Sequence, residues 1–190
     1  MRILGIDPGS LRTGYGAIDV EGRQLTCVAV GVVAPPAGLV LSSRLTFIAA
    51  RLAELARDLA PELIAIETIF TARSARSALV LGQARGAALV GVGSCGAPVV
   101  EVAPATVKSM VAGHGRASKA QVARAVRDLL HLTTRVGADA SDALAIALSA
   151  AFHRPPPGAT APRLRVRRVS ARDAWTEELR REAQTARRGR

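Results

Sequence analysis

The order of its apolar runs constrains this chain most: three strand-length runs come first, and helix and strand then alternate. Residues 2–7 (RILGID), 14–19 and 24–33 read as strands, the last two joined by a turn at Glu21-Gly22. After Pro35-Pro36, Leu45, Ile48, Leu52, Leu55 and Leu59 recur at spacings of three and four. That stripe predicts a helix over Ser42–Ala60, stopped by Pro61. Residues 63–67 (LIAIE) and 99–102 (VVEV) predict further strands, 75–93 a helix despite its glycines, and 105–111, 118–131 and 139–152 three more helices. An antiparallel start followed by crossovers implies an α/β fold with a mixed five-stranded sheet flanked by helices. Chemistry in such sheets collects beyond the strand ends, and the strands at 2–7 and 63–67 both end in an acid.

Charge narrows the partner. The 190 residues carry 26 Lys+Arg against 15 Asp+Glu, a net of +11, which points to a polyanion, above all nucleic acid. The excess is uneven: residues 154–190 hold eleven Arg and four acids and open with Pro-Pro-Pro-Gly after Arg154. The domain boundary is expected near His153, with 1–153 the folded domain and 154–190 a flexible Arg-rich extension in which Ser170 caps a short helix bearing Trp175 and Leu179. That extension reads either as a solvated segment or as a non-specific phosphate-binding arm. Lys108 and Lys119 are the only lysines. Cys27 and Cys95 cannot build a disulfide framework, and His114, His131 and His153 form no ligand set. The N-terminal apolar run is too short for a signal peptide, and no run reaches the roughly 18–20 residues of a membrane span, so a soluble cytoplasmic protein is expected.

Four carboxylates stand at the edges of hydrophobic elements. Asp7, in DPGSLRTG, reads as a metal ligand at a strand tip, as part of a DxG phosphate loop, or as the first residue of an Asp-Pro-Gly turn. Glu67 ends an apolar strand, where a charge must be solvated, paired or metal-bound. Asp139 and Asp142, in ADASDALAIA, read locally as an N-cap and a first-turn acid that satisfy free N–H groups and the helix dipole. Spaced by three, they also share a helix face and can point at one ion. Gathered by one sheet, the four would repel unless cations neutralise them. Oxygen ligands without His or Cys suit Mg²⁺ or Mn²⁺, and two such ions about 4 Å apart would serve in-line attack on a phosphate. A polyanion-binding chain with that cluster reads as a nuclease.

Five segments carry a closer likeness: ILGIDPGSLRTGYG, IAIETIF, SALVLGQARG, GHGRASKAQV and ADASDALAIA, in that order. Over residues 1–152 the chain resembles the RuvC family of Holliday-junction resolvases. The resemblance implies an RNase H-like fold, a homodimer, and Mg²⁺-dependent paired nicks in two opposed strands of a four-way DNA junction, leaving 5′-phosphate and 3′-hydroxyl ends. It implies catalytic and metal-binding roles for Asp7, Glu67, Asp139 and Asp142, with two Mg²⁺ per site and Mn²⁺ able to substitute, a part in homologous recombination and DNA repair, and partnership with the branch-migration proteins RuvA and RuvB. The long Arg-rich extension departs from the family pattern.

Candidate DNA contacts follow. Phe70 suits stacking on an unpaired base, a contact typically worth about 1–3 kcal/mol, against the plainer reading of a core Phe. Arg73 and Arg76 precede a helix and can reach phosphates or lie on a solvated face. Lys108, Arg116 and Lys119 flank the loop at Gly113–Gly115 and match a basic region of the family. Ala78, Gly82 and Gly86, spaced by four, suit either packing on the chain's own sheet or the dimer contact that the family implies. Rival readings are an RNase H-like nuclease acting on RNA or non-junction DNA, a junction-binding protein without catalysis, and an actin-like ATPase, for which 190 residues leave no second domain.

Overall fold

A computed structural model describes residues 1–68 and 74–153; Phe70, Arg73 and all of 154–190 lie outside the described residues. The described elements are β1 (Arg2–Asp7), β2 (Thr13–Glu21), β3 (Gln24–Val33), α1 (Leu41–Leu59), β4 (Leu63–Glu67), α2 (Ala75–Gly93), β5 (Val99–Val102), α3 (Pro104–Ala112), α4 (Lys119–Leu129) and α5 (Ala138–Phe152). The sheet order is β3-β2-β1-β4-β5, antiparallel from β3 to β1 and parallel from β1 to β5. It is the mixed five-stranded sheet expected from the sequence. Gly22, at φ +62°, closes the turn between the paired Glu21 and Gln24 in the left-handed region that glycine enters freely.

The central strands are buried on both faces, and their period of two sorts the side chains. Leu4, Ile6, Ile64 and Ile66 pack with Ile48, Leu52 and Ala56 of α1 and Ala88 and Val92 of α2. Ile3 and Ala65 face the other way, toward Val107 of α3, Val122 and Val126 of α4 and the length of α5. Alternation therefore brings Asp7 out on the face of Ile3, and Glu67 on the face of Ala65. Both acids emerge on the α3–α5 side.

Helix α5 is buried along its middle, from Ala143 through Ala150, because the sheet lies on one side of it and α3 and α4 on the other. Two glycines let its backbone rest on the sheet. A Cβ on Gly5 would stand 2.1 Å from the Ala143 carbonyl oxygen, and one on Gly14 would stand 2.0 Å from that of Asp139. Since Gly14 pairs with Asp7 across the β1–β2 ladder, this contact fixes the first turn of α5 beside the tip of β1.

Helix α1 stops one residue earlier than its stripe suggests. Ala60 adopts φ 45°, ψ 56°, and donates its N–H to the Ala56 carbonyl, so Pro61 follows a left-handed cap rather than a helical residue. A left-handed alanine costs about 1–2 kcal/mol, part of which glycine gives back through unfolded-chain entropy. Ala60→Gly is therefore expected to stabilise the fold by about 0.5 kcal/mol, read as a rise of about 1–2 °C in thermal midpoint. A lower midpoint would mean that the cap is unstrained.

Candidate active site

Asp7, Glu67 and Asp142, from β1, β4 and α5, line one cavity of about 270 Å³, and Lys108 and Lys119, the only two lysines, line it with them. Lys119 is the first residue of α4, set there by a capping box: the Gln121 N–H donates to Ser118 Oγ (3.2 Å), and the Ser118 N–H to Gln121 Oε1 (2.8 Å). A cation at a helix N-terminus opposes the macrodipole, so Lys119 is not there for the helix. Its ammonium instead donates to Asp142 Oδ2 at 3.0 Å.

Asp139 lies just outside the cavity lining. The N-cap reading of this residue is corrected: the cap of α5 is Gly137, with no side-chain hydrogen bond, and Asp139 is in the first turn. Its carboxylate is taken by Arg12, whose Nε donates to Oδ2 at 2.5 Å. Arg12 is presented by the β1–β2 turn, which buried Thr13 ties down by donating to the Gly9 carbonyl at 2.8 Å.

The electrostatics show how closely these acids are gathered. Burial pushes Asp7 up to about 7, with Glu67 and Asp142 pushing the same way, Lys119 opposing and Asp139 adding least. Glu67 is raised by burial and then by Asp142, against the pull of Lys119 and Lys108. The bond to Asp142 holds the Lys119 ammonium above its ordinary value, with burial opposing. Thus Asp142 and Asp139 each have a cation from the chain itself, while Asp7 and Glu67 have no ion pair among the described residues.

Arg85 holds the strand end from behind. Its Nε donates to the Glu67 carbonyl oxygen at 3.2 Å, and its other guanidinium nitrogen stands 2.8 Å from Glu101 of β5, an ion pair without hydrogen-bond alignment. Neither Arg12 nor Arg85 was singled out by sequence reasoning. Among the predicted contacts, the structure brings Lys108 and Lys119 to the carboxylates. Arg116 lies on the exposed turn between α3 and α4, and Arg76 opens α2 beside Ser10 of the β1–β2 turn.

As the side chains stand, no three His, Cys, Asp or Glu groups among the described residues form a ready metal-binding set. The chemistry of the donors nonetheless fits a hard cation: the candidates are carboxylates only, Asp7 and Glu67 are destabilised as anions by burial and by neighbouring acids, and both line an open cavity. The partners that hold Asp139 and Asp142, Arg12 and Lys119, are both exposed side chains.

No helix among the described residues is long and apolar enough to cross a membrane. The family model for crossover junction endodeoxyribonuclease RuvC matches residues 3–150. A protein of that name from Halorhodospira halophila is 49% identical over 156 residues, 82% of this chain and 93% of the other. One from Burkholderia multivorans is 49% identical over 148 residues, 78% and 82% of the two chains. Among solved structures, Thermus thermophilus RuvC in complex with a Holliday junction substrate superposes with a TM-score of 0.75 at 36% identity, over 80% of this chain and 93% of that one. The yeast mitochondrial Holliday junction resolvase, with a TM-score of 0.55 and 14% identity over 77% of each chain, shares the fold alone.

Proposed function

The chain belongs to the RuvC family of crossover junction endodeoxyribonucleases, and we propose that Asp7, Glu67, Asp139 and Asp142 are the carboxylates through which it cuts DNA. It is a Holliday junction resolvase with the RNase H-like fold of that family, acting in DNA recombination and repair. The observation that carries the site assignment is the convergence of acids from β1, β4 and α5 on one cavity that also takes both lysines.

Divalent cations, Mg²⁺ by preference and two per site, with Mn²⁺ as a substitute, would be held by Asp7, Glu67, Asp142 and Asp139, and would supply Lewis acidity for attack on a phosphodiester. The chain's own part is to hold the strand. Lys108 and Lys119 line the acidic cavity, where a phosphate would otherwise be repelled, and the exposed Arg76 and Arg116 would take phosphates further along the strand. The polarity of the nicks, 5′-phosphate and 3′-hydroxyl, the stacking role of Phe70, the phosphate contact of Arg73 and the partnership with RuvA and RuvB rest on the family and are proposed on that ground. So is the use of the Arg-rich residues 154–190 as a phosphate-binding arm beyond the domain at 1–153. An exposed apolar stripe on α2 supports a homodimer.

The direct test is a denaturing gel of a labelled mobile four-way junction, with linear duplex and RNA–DNA hybrid as controls, in Mg²⁺, Mn²⁺ and EDTA. Paired, metal-dependent nicks at the junction are expected. Equal cutting of the controls would move the substrate elsewhere, and no cutting in any metal would reject catalysis.

Arg12 bears on the metal requirement. It competes with any cation for Asp139, and an exposed pair of this kind is worth about 0.2–1 kcal/mol, which converts to at most about fivefold in a binding constant. Arg12→Gln should therefore bind Mn²⁺ about two- to fivefold more tightly by calorimetry, and reach half-maximal cleavage at correspondingly lower metal. Weaker Mn²⁺ binding would make Arg12 an aid to Asp139 instead of a competitor.

A further inference from the structure

On the other side of α4 from the carboxylates lies a groove of about 320 Å³ that the reaction does not use, formed by α4, the turn after it and the first residues of α5. Arg124, Arg127 and Arg135 line it, and no Asp or Glu does. The nearest acidic claims are partial: Asp128 is 3.6 Å from Arg124, and Asp139 is engaged by Arg12. Arg127 and Arg135 have no ion pair among the described residues. Two further features point into the same groove. Ser141 lines it and is only 6% exposed as a residue. The 15-residue helix α5 starts there at Gly137 without a side-chain cap, which leaves first-turn N–H groups free to meet an anion.

Three arginines, a serine and an open helix N-terminus line one groove that holds no carboxylate. We propose that this groove is a phosphate-binding site that takes a backbone phosphate of the junction DNA, separate from the cutting cavity. The proposal rests on the reading of the chain as a junction resolvase. Its geometry follows from α5 itself, since Ser141 lies between Asp139 and Asp142 in sequence and a phosphate held there would fix a DNA strand relative to the helix that carries two of the acids. Arg127 and Arg135 would grip the anion, Arg124 would share itself with Asp128, and Thr134, also at the lining, would add a hydroxyl.

The test compares the full-length chain with its Arg127→Gln/Arg135→Gln variant, and with a charge-matched control, Arg23→Gln/Arg57→Gln, altered in the β2–β3 turn and on α1. Anisotropy of a fluorescent four-way junction is measured in Ca²⁺ across a salt series. Each lost phosphate contact should reduce the slope of log K against log salt by about 1. The groove variant is expected to lose about 1–2 in slope and at least about threefold in affinity at 0.1 M salt, and the control to lose less than half of either. Equal loss in both variants would overturn the site. In parallel, inorganic phosphate is titrated against chloride at matched ionic strength while thermal unfolding is followed. A phosphate-specific rise in melting temperature that the groove variant lacks, with its junction slope unchanged, would overturn the DNA assignment in favour of a free-anion site. Failure of the unaltered chain to select the junction over linear duplex would instead reject the resolvase reading on which the proposal stands.

Discussion

Asp7→Asn should reduce junction cleavage on the order of 10³-fold or more while leaving junction affinity within about threefold of the unaltered chain. The substitution keeps the shape of the side chain at the tip of β1 and leaves Lys108, Lys119 and the arginines in place, so the surface that meets DNA is unchanged. What it removes is one oxygen donor with its charge. The same change should stabilise the fold, and in a pH-dependent way. In the folded chain Asp7 titrates at about 7 against an ordinary 3.8, so between those values the native state keeps a proton that the unfolded chain has released. Stability from this group is thus complete below its unfolded value and falls as pH rises through 7. Each unit is worth about 1.4 kcal/mol, and a partly solvated carboxyl realises about half of the full span, giving a loss of about 2 kcal/mol above pH 8. Asn escapes that loss. Its melting temperature should match the unaltered chain near pH 4 and exceed it by about 5 °C at pH 8 without metal. Cleavage at the original rate would remove Asp7 from the chemistry; lost affinity together with a lower melting temperature would make it a structural residue.

The sequence made the elements readable because their apolar patterns are local, but the site required contacts that have no local signature. The ends of β1 and β4 stood out since an acid closes an apolar run in RILGID and in LIAIE. Which face each acid takes was not readable: a strand buried on both sides shows no alternation, and Leu4 and Ile6 are as apolar as Ile3. The approach of α5 depended on Gly5 and Gly14, whose importance appears only when a helix lands on them. Asp139 looked like a cap because Asp-Ala-Ser-Asp is how many helices begin; its actual partner, Arg12, is 127 residues away. Arg85 reaches the Glu67 carbonyl from the third turn of the next helix, within a motif quoted for the family likeness but not for a contact. The four acids were selected on their types and edges, and the family likeness raised that selection to an assignment. The roles of Phe70 and Arg73 stay at the level of the sequence, since both lie outside the described residues.

On the proposed homodimer, Gly86→Arg on α2 should turn a resolvase that makes paired nicks into a folded monomer that does not. Leu79 and Val90 of this helix are 64% and 76% exposed, and between them Gly82 and Gly86 would meet nothing within 4 Å of an added Cβ. Large apolar side chains at both ends of an open stretch of glycine form a surface that the chain's own sheet does not cover, and small residues allow a second helix to come close. Of the two readings of the Ala78-Gly82-Gly86 spacing, packing on the sheet is therefore the wrong one for these positions, because the sheet-facing residues of α2 are Ala84, Ala88 and Val92. Arginine at 86 has room within the protomer and is a better helix former than glycine by about 0.5–1 kcal/mol, so the melting temperature of the monomer should not fall. Across a close helix pair it would bury charge against its own copy, which should weaken self-association by about 10²-fold or more. Sedimentation velocity reads the first effect. A cruciform plasmid reads the second: two coordinated nicks linearise it, whereas uncoupled single nicks leave a relaxed circle. A variant that remains dimeric and still linearises the plasmid would place the partner contact on another face, and with it the alignment of two cutting cavities on opposed strands.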